Sequence, residues 1–362
     1  MRKAPLFVIA LALLASLALA QTLLPDKTFS QMENRVLAER PALTLASMSM
    51  SRWADGFETY CADQLPLRDR FVSLYTAWEA LTGHRVIEGV ILGGDHRLFD
   101  RTDAWKPRNV TLNASALAYL SEETGTPLYL LAVPSANAVY GGCLPPGAPV
   151  ADEEALTGLA AKEVSVIPLL PVLREKAAEE SLYYRTDHHW TAAGARIGYL
   201  RVCDALGLEP LPELKLTRQS PFYGSFYARC PLPWQQADTF EYPEDPSIRL
   251  IVGGEEKPGL ADREKLTERD LYAALLYGNH DRMELVNDSV AEGTWFVIKD
   301  SYANALLPAL ARHCHRIVAI DARYFAGDVV EAVKETKGDL ILCIHGVNSL
   351  ASGRTLALLE GL

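Results

Sequence analysis

Three titratable side chains stand together in Tyr183-Tyr184-Arg185-Thr186-Asp187-His188-His189-Trp190, and a serine, Ser301, closes the run Trp295-Phe296-Val297-Ile298-Lys299-Asp300. A serine hydroxyl is a weak nucleophile until an imidazole takes its proton, and that imidazole needs a carboxylate to fix its tautomer. Asp187, His189 and Ser301 have the right types for those three roles. On extended backbone, a carboxylate and an imidazole two positions apart share a face and can reach one site. His188 is a rival for the imidazole role. The Asp-His-His cluster also has the makings of a divalent-cation site. Asn279-His280-Asp281 is a further polar cluster that could contact substrate or an oxyanion.

Those side chains must be positioned by the elements around them. From Thr126 onward apolar strands alternate with amphipathic helices. The strands are read at Leu128 to Val133, Val164 to Leu169, Trp295 to Ile298, Ile317 to Ile320 and Leu340 to Ile344. Helices are read at Pro171 to Glu180, after an N-cap at Thr191, at Tyr302 to His313 and at Asp328 to Lys337. The pattern predicts an α/β fold with a parallel sheet covered on both faces. In such sheets ligands bind beyond the carboxyl ends of the strands. Three of those ends are polar: Lys299-Asp300-Ser301-Tyr302, Asp321-Ala322-Arg323-Tyr324-Phe325 and His345-Gly346-Val347-Asn348. Ser301 would then open a helix, whose dipole and free N–H groups suit a developing oxyanion.

About 208–292 breaks the alternation, being rich in Pro, Gly, Tyr and charge, and reads as an insertion or lid. Residues 21–120 read as a helical N-terminal segment. In it Trp53, Phe57, Tyr60, Leu65, Phe71 and Leu74 suit a packed surface helix interrupted at Pro66. Val90-Ile91-Leu92 and Arg97-Leu98-Phe99 flank a plausible hairpin tip. Residues 121–362 form the main domain.

The chain has 362 residues, 49% hydrophobic, with 35 Lys plus Arg against 46 Asp plus Glu and a formal charge of -11. That field repels phosphate backbones and argues against a nucleic-acid partner. Residues 1–20 combine the basic start Met1-Arg2-Lys3, an apolar run from Ala4 to Ala20 and a small-x-small site at Ala18-Leu19-Ala20, the features of a signal peptide or membrane anchor. A secreted or membrane-tethered, extracytoplasmic protein is expected. Six scattered cysteines permit one or two disulfides in that setting and have no zinc-type spacing.

The stretch Asp187-His188-His189-Trp190 resembles the signature of the DHHW family of exported bacterial proteins. Glu33-Asn34-Arg35-x-Leu37 and Phe57-Glu58-x-Tyr60-x-x-Asp63-x-x-Pro66-x-Arg68-Asp69 are similar to that family's N-terminal segments. Phe222-Tyr223-Gly224-Ser225, Gly278-Asn279-His280 and Lys299-Asp300-Ser301-Tyr302-Ala303-Asn304 resemble its later ones. The family is in turn similar to the SGNH-hydrolase-like acetyltransferases of alginate O-acetylation. The resemblance implies a flavodoxin-like sheet with a circularly permuted motif order, Asp-x-His before Ser. It implies a triad of Asp187, His189 and Ser301, favouring His189 over His188 by its spacing. Lys299 stands where the usual SGNH motif has Gly, and the oxyanion role has three competing candidates, Asn304, Asn279 and Asn348. Phosphoesterases named for a DHH motif do bind metal, but their further aspartate motifs have no match here, so neither a metal nor a cofactor is expected.

The function expected on these grounds is exported, serine-dependent O-acetylation of a cell-surface or secreted polysaccharide. A membrane-bound O-acyltransferase would be the acyl donor. Tyr184, His188, Tyr302, Asn304, Asn279, His280, Tyr324 and Asn348 are the candidate substrate-binding residues. A carbohydrate esterase and a non-catalytic glycan-binding or assembly factor are the alternative readings.

Overall fold

The computed structural model describes residues 5–33, 35–42 and 50–357. The basic start Met1-Arg2-Lys3 and Asn34 lie outside the described residues. The chain divides into two units, Met1–His84 with Ala228–Gln235, and Arg85–Tyr227 with Gln236–Leu362.

The second unit is built on an eight-stranded sheet. In chain order its strands are β1 (Leu128–Val133), β2 (Ser165–Val166), β3 (Ile248–Val252), β4 (Glu255–Lys257), β5 (Arg282–Asn287), β6 (Thr294–Lys299), β7 (Arg316–Asp321) and β8 (Leu340–Gly346). Their spatial order is β4-β3-β5-β7-β6-β8-β1-β2. From β7 through β2 all neighbours are parallel, whereas β5, β3 and β4 continue the sheet antiparallel. Part of the inserted stretch therefore extends the sheet, because Ile248, Leu250 and Val252 alternate inward as a half-buried strand requires.

Period-two alternation sorts the strand residues onto two cores. Leu131, Val133, Val297, Ile317, Ala319, Leu342 and Ile344 face the helix Ala192–Leu206. Leu128, Leu130, Phe296, Ile298, Val318, Ile320 and Ile341 face Pro107–Thr124 and Val329–Thr336. This is the flavodoxin-like, SGNH-hydrolase-like arrangement, with helices on both faces. Thr191 caps its helix by accepting from the Gly194 amide. A third, aromatic cluster of Tyr184, Phe222, Phe240, Tyr242 and Tyr272 gathers beside the 216–243 hairpin.

Two elements differ from the sequence expectation. The long helix after Ser301 is a short 3-10 turn, Ser301–Ala305, and a separate turn of helix, Leu307–Leu310 with Pro308 in it. Proline lacks the N–H that would have continued the ladder. Only Ser165–Val166 of the Val164 to Leu169 run pairs as a strand. No disulfide forms among the described residues; Cys203, Cys314 and Cys343 are buried thiols.

In the first unit, Pro5–Leu23 is a continuous apolar helix with no buried residue. Among the described residues it alone is long and apolar enough to cross a membrane. The helices Met50–Asp63 and Arg68–Leu81 follow, with the break near Pro66. Arg35 forks onto Asp63 at 2.9 and 2.5 Å, Arg68 reaches Glu33 at 2.8 Å, and the Ala38 amide donates to Asp63. Asp63 keeps its carboxyl down at about 2, chiefly through the Arg35 hydrogen bonds, against the opposing effect of burial.

Candidate active site

Tyr183 and Trp190 pair across an isolated antiparallel bridge, which closes the intervening residues into a tight loop. The loop is bent, so Asp187 and His189 do not share a site through extended backbone. The Asp187 carboxylate turns back instead, Oδ1 accepting both the His189 amide at 2.9 Å and His189 Nδ1 at 2.6 Å. This is the Asx-type habit of aspartate, bonding the backbone two residues on. His189 Nε2 lies 2.8 Å from Ser301 Oγ, which β6 delivers from its carboxyl end. Three side chains from two distant stretches thus form one hydrogen-bonded line.

The surroundings hold that line from several sides. Asp187 Oδ2 accepts from the Ser225 amide at 2.7 Å. Burial raises the Asp187 carboxyl, but His188, His189 and these bonds outweigh it and hold it well below the usual carboxylate range. The Tyr272 ring stacks on His189 at 3.6 Å and 6°. Asp238 ties down the loop from below, accepting from the Arg185 and Thr186 amides and the Thr186 hydroxyl. Trp190 Nε1 donates to the Tyr302 carbonyl at 3.0 Å, joining the Asp-His loop to the serine turn.

Behind Ser301 the three polar strand ends meet. Asp300 caps the turn, accepting from the Tyr302 amide at 3.0 Å, and its other oxygen takes the Gly346 amide at 2.8 Å and the Ser349 hydroxyl at 2.7 Å. The Tyr302 N–H is therefore spoken for, and the Ala303 N–H donates to the Asp300 carbonyl. The helix N-terminus expected here is thus a short 3-10 turn whose Tyr302 and Ala303 N–H groups are already engaged. Lys299 is fully buried, its ammonium donating to Asn304 at 2.8 Å and Asn279 at 3.1 Å, with Asp321 at 4.0 Å. Burial pulls the Lys299 amine down to about 8, with Asp321 and Asp300 opposing.

Several candidate substrate residues are engaged elsewhere. Tyr184 and Tyr302 are buried at 3% and 2% exposure, one in the aromatic cluster and the other with its hydroxyl on the His188 carbonyl. Neither ring can line an open acceptor site. Asn304 is buried against Lys299, while Asn279 is exposed above the same ammonium. His280 bonds the Tyr277 carbonyl, Asn348 accepts from the Ser349 amide, and Tyr324 is exposed beside Arg323. His188 remains at the site's edge, its Nδ1 2.8 Å from Ser225 Oγ. Burial and the neighbouring His189 pull its imidazole down to about 4, although a third of the side chain still meets solvent.

The ligand atoms of Asp187, His188 and His189 all lie within 4.8 Å of one another, close enough for a cation. In this structure those side chains hydrogen-bond to one another, to Ser225 and to Ser301. The residues that sequence reasoning passed over are Tyr272, Ser225, Asp238 and Thr186. Ser225 carried a signal through Phe222-Tyr223-Gly224-Ser225, and Thr186 through its place in the Tyr183 to Trp190 stretch.

Residues 161–320 match the family model described as DHHW protein, and residues 90–227 match that of the SGNH hydrolase-like domain, acetyltransferase AlgX. Residues 161–320 thus resemble the DHHW family. A DHHW family protein from Eubacterium siraeum superposes with a TM-score of 0.63 at 20% identity, covering 76% of this chain and 95% of that one. Bacillus cereus PatB1 gives 0.61 at 18% identity over 72% of this chain and 97% of its own. A second PatB1 structure, with a sulfonyl adduct, gives 0.60 at 17% identity over 74% and 98%. No curated protein sequence matches. At these identities the structural likenesses bear on fold alone, and the SGNH-like description comes from the family model matched at 90–227.

Proposed function

We propose that this chain is an exported serine acyltransferase that O-acetylates a cell-surface or secreted polysaccharide through Ser301, His189 and Asp187. The observation that carries the reading is the continuous line from Asp187 Oδ1 through His189 to Ser301 Oγ, at 2.6 and 2.8 Å. Two things support it: the match of residues 90–227 to a family described as an acetyltransferase domain, and the apolar helix Pro5–Leu23, which suits export or tethering.

In this mechanism Ser301 Oγ attacks the acyl carbon of the donor as His189 Nε2 takes the hydroxyl proton. Asp187 holds Nδ1–H and stabilises the imidazolium. His189 then returns the proton to the departing donor group, leaving an ester on Ser301. An acceptor hydroxyl attacks that ester while His189 takes its proton, the acyl group moves to the acceptor, and Ser301 is reprotonated. A membrane-bound O-acyltransferase is the proposed donor.

The test is labelling of the purified protein with a serine-reactive fluorophosphonate and an activated acetyl ester, beside Ser301→Ala and His189→Ala. Labelling should need both residues, and acetyl should pass to added glycan faster than to water. A folded wild-type protein that stays unlabelled would sink the proposal. Labelling followed by release to water alone would make the chain an esterase.

A further inference from the structure

The helix Arg68–Leu81 is turned inside out for a packed surface helix. Its inner side carries Thr76 and Ala77, both buried, while Phe71, Leu74, Tyr75, Trp78 and Leu81 are exposed. Leu74 and Trp78 are 63% and 57% exposed, and Leu81 is 78% exposed. Their spacing, i, i+3, i+4, i+7 and i+10, puts all five on one stripe of an α-helix. Leu67, which precedes the helix in a left-handed conformation, is exposed as well. Single exposed apolar residues are ordinary, but a contiguous stripe with two of its rings from Tyr and Trp marks a binding face.

The occupant follows from what the stripe is attached to. The apolar helix Pro5–Leu23 belongs to the same unit, and Gln21 near its end donates to the Cys61 carbonyl at 3.2 Å. Tyr60 donates to Asp26, and Lys27 and Gln64 exchange two bonds at 2.9 Å. The end of the apolar helix is thereby fixed to Met50–Asp63, four residues before the striped helix starts. Tyr and Trp favour the level of lipid headgroups, where one end of the ring is apolar and the other wet. Arg70, exposed within the helix, adds a cation for lipid phosphates.

We infer that the Phe71, Leu74, Tyr75, Trp78 and Leu81 face lies in the lipid surface, parallel to the membrane, beside an uncleaved Pro5–Leu23 span. It rests on the tethered form of the proposed function. The 14-residue helix would sink its stripe to the headgroup boundary, so that the unit is held at two points and not by a single swivel.

The full chain in vesicles of phosphatidylethanolamine and phosphatidylglycerol, with or without brominated acyl chains, tests this. Flotation reports the tether, and quenching of tryptophan emission reports the face. Trp78→Phe should float like the wild type and show quenching by brominated lipid weaker by about twofold or more, since Trp78 supplies the lipid-level ring. Equal quenching in the two proteins, with both floating, overturns the inference and leaves the tether standing. Quenching of Trp78 by aqueous iodide, or by neither agent, also overturns it, the latter pointing to a protein partner on the stripe. Failure to float defeats the tether and the face together.

Discussion

At the scale of single residues, the site depends on how closely neighbours approach Asp187. A Cβ at Gly224 would come 2.2 Å from Asp187 Cβ and 2.3 Å from Oδ2. Gly224→Ala should therefore displace the carboxylate from His189 and cut kcat by about a hundredfold, the usual cost of misplacing a catalytic group by an ångström. The protein should stay folded by circular dichroism; unchanged turnover would contradict the geometry. Tyr272 acts on His189 from the other side, by stacking. Tyr272→Phe should keep most of the activity and Tyr272→Ala should lose it, because the ring face and not the hydroxyl confines the imidazole. Asp187, His189 and Ser301 were legible as types in a plausible order. Tyr272 was not, because its role comes from a stack between stretches 83 positions apart in number, and nothing in the run Leu271 to Tyr277 sets that ring apart from core.

At the scale of elements, β1 is tied to the helix Glu153–Ala160 by a buried carboxylate. Glu153 accepts from the Ser135 amide at 2.8 Å and from its hydroxyl, and burial pushes its carboxyl up to about 7. The folded state therefore holds a proton that the unfolded chain releases above its ordinary value of 4.5. Stability should fall as pH rises from there through about 7, by on the order of a few kcal/mol. Glu153→Gln should flatten that fall, as read by urea midpoints at pH 5 and pH 8; equal falls in both proteins would remove Glu153 as the cause. The strands themselves were readable, since continuous apolar runs such as Leu128 to Val133 and Leu340 to Ile344 reflect burial on both faces. What misled was the stretch after Ser301. Ala303, Leu306, Leu307 and Leu310 have helical spacing, yet the Asp300 cap and Pro308 divide it. The antiparallel strands β3 to β5 were hidden in a segment whose Gly, Pro and charges outweigh their short alternations.

At the scale of the whole molecule, two units carry separable tasks: the second holds the serine line, the first the apolar helix and an ion-pair knot. Arg35, Asp63, Glu33 and Arg68 are residues of the quoted N-terminal motifs, and the structure gives those motifs a local purpose. Asp63→Asn should lower hydrogen-exchange protection across residues 50–81 by about 1–2 kcal/mol and leave the central strands unchanged. Solvent around the half-exposed Arg35 keeps the effect that small. Because the Asp63 carboxyl is held down at about 2, this contribution is present at neutral pH and is lost as pH falls from about 4 through 2. Uniform loss of protection over both units would count against so local a knot.

The grip of Asp300 on Gly346 and Ser349 also sets a timetable. A polypeptide emerges from the ribosome, and threads through a secretion pore, with its amino end leading. Asp187 and His189 come out long before Ser301, and Ser301 comes out before the backbone and hydroxyl that lock its turn. The turn that carries Ser301 is thus locked only by a segment that arrives after it. If the chain is exported and acylates as proposed, a half-translocated chain would carry no armed nucleophile, and acyl chemistry would begin only once residues 346–349 had crossed.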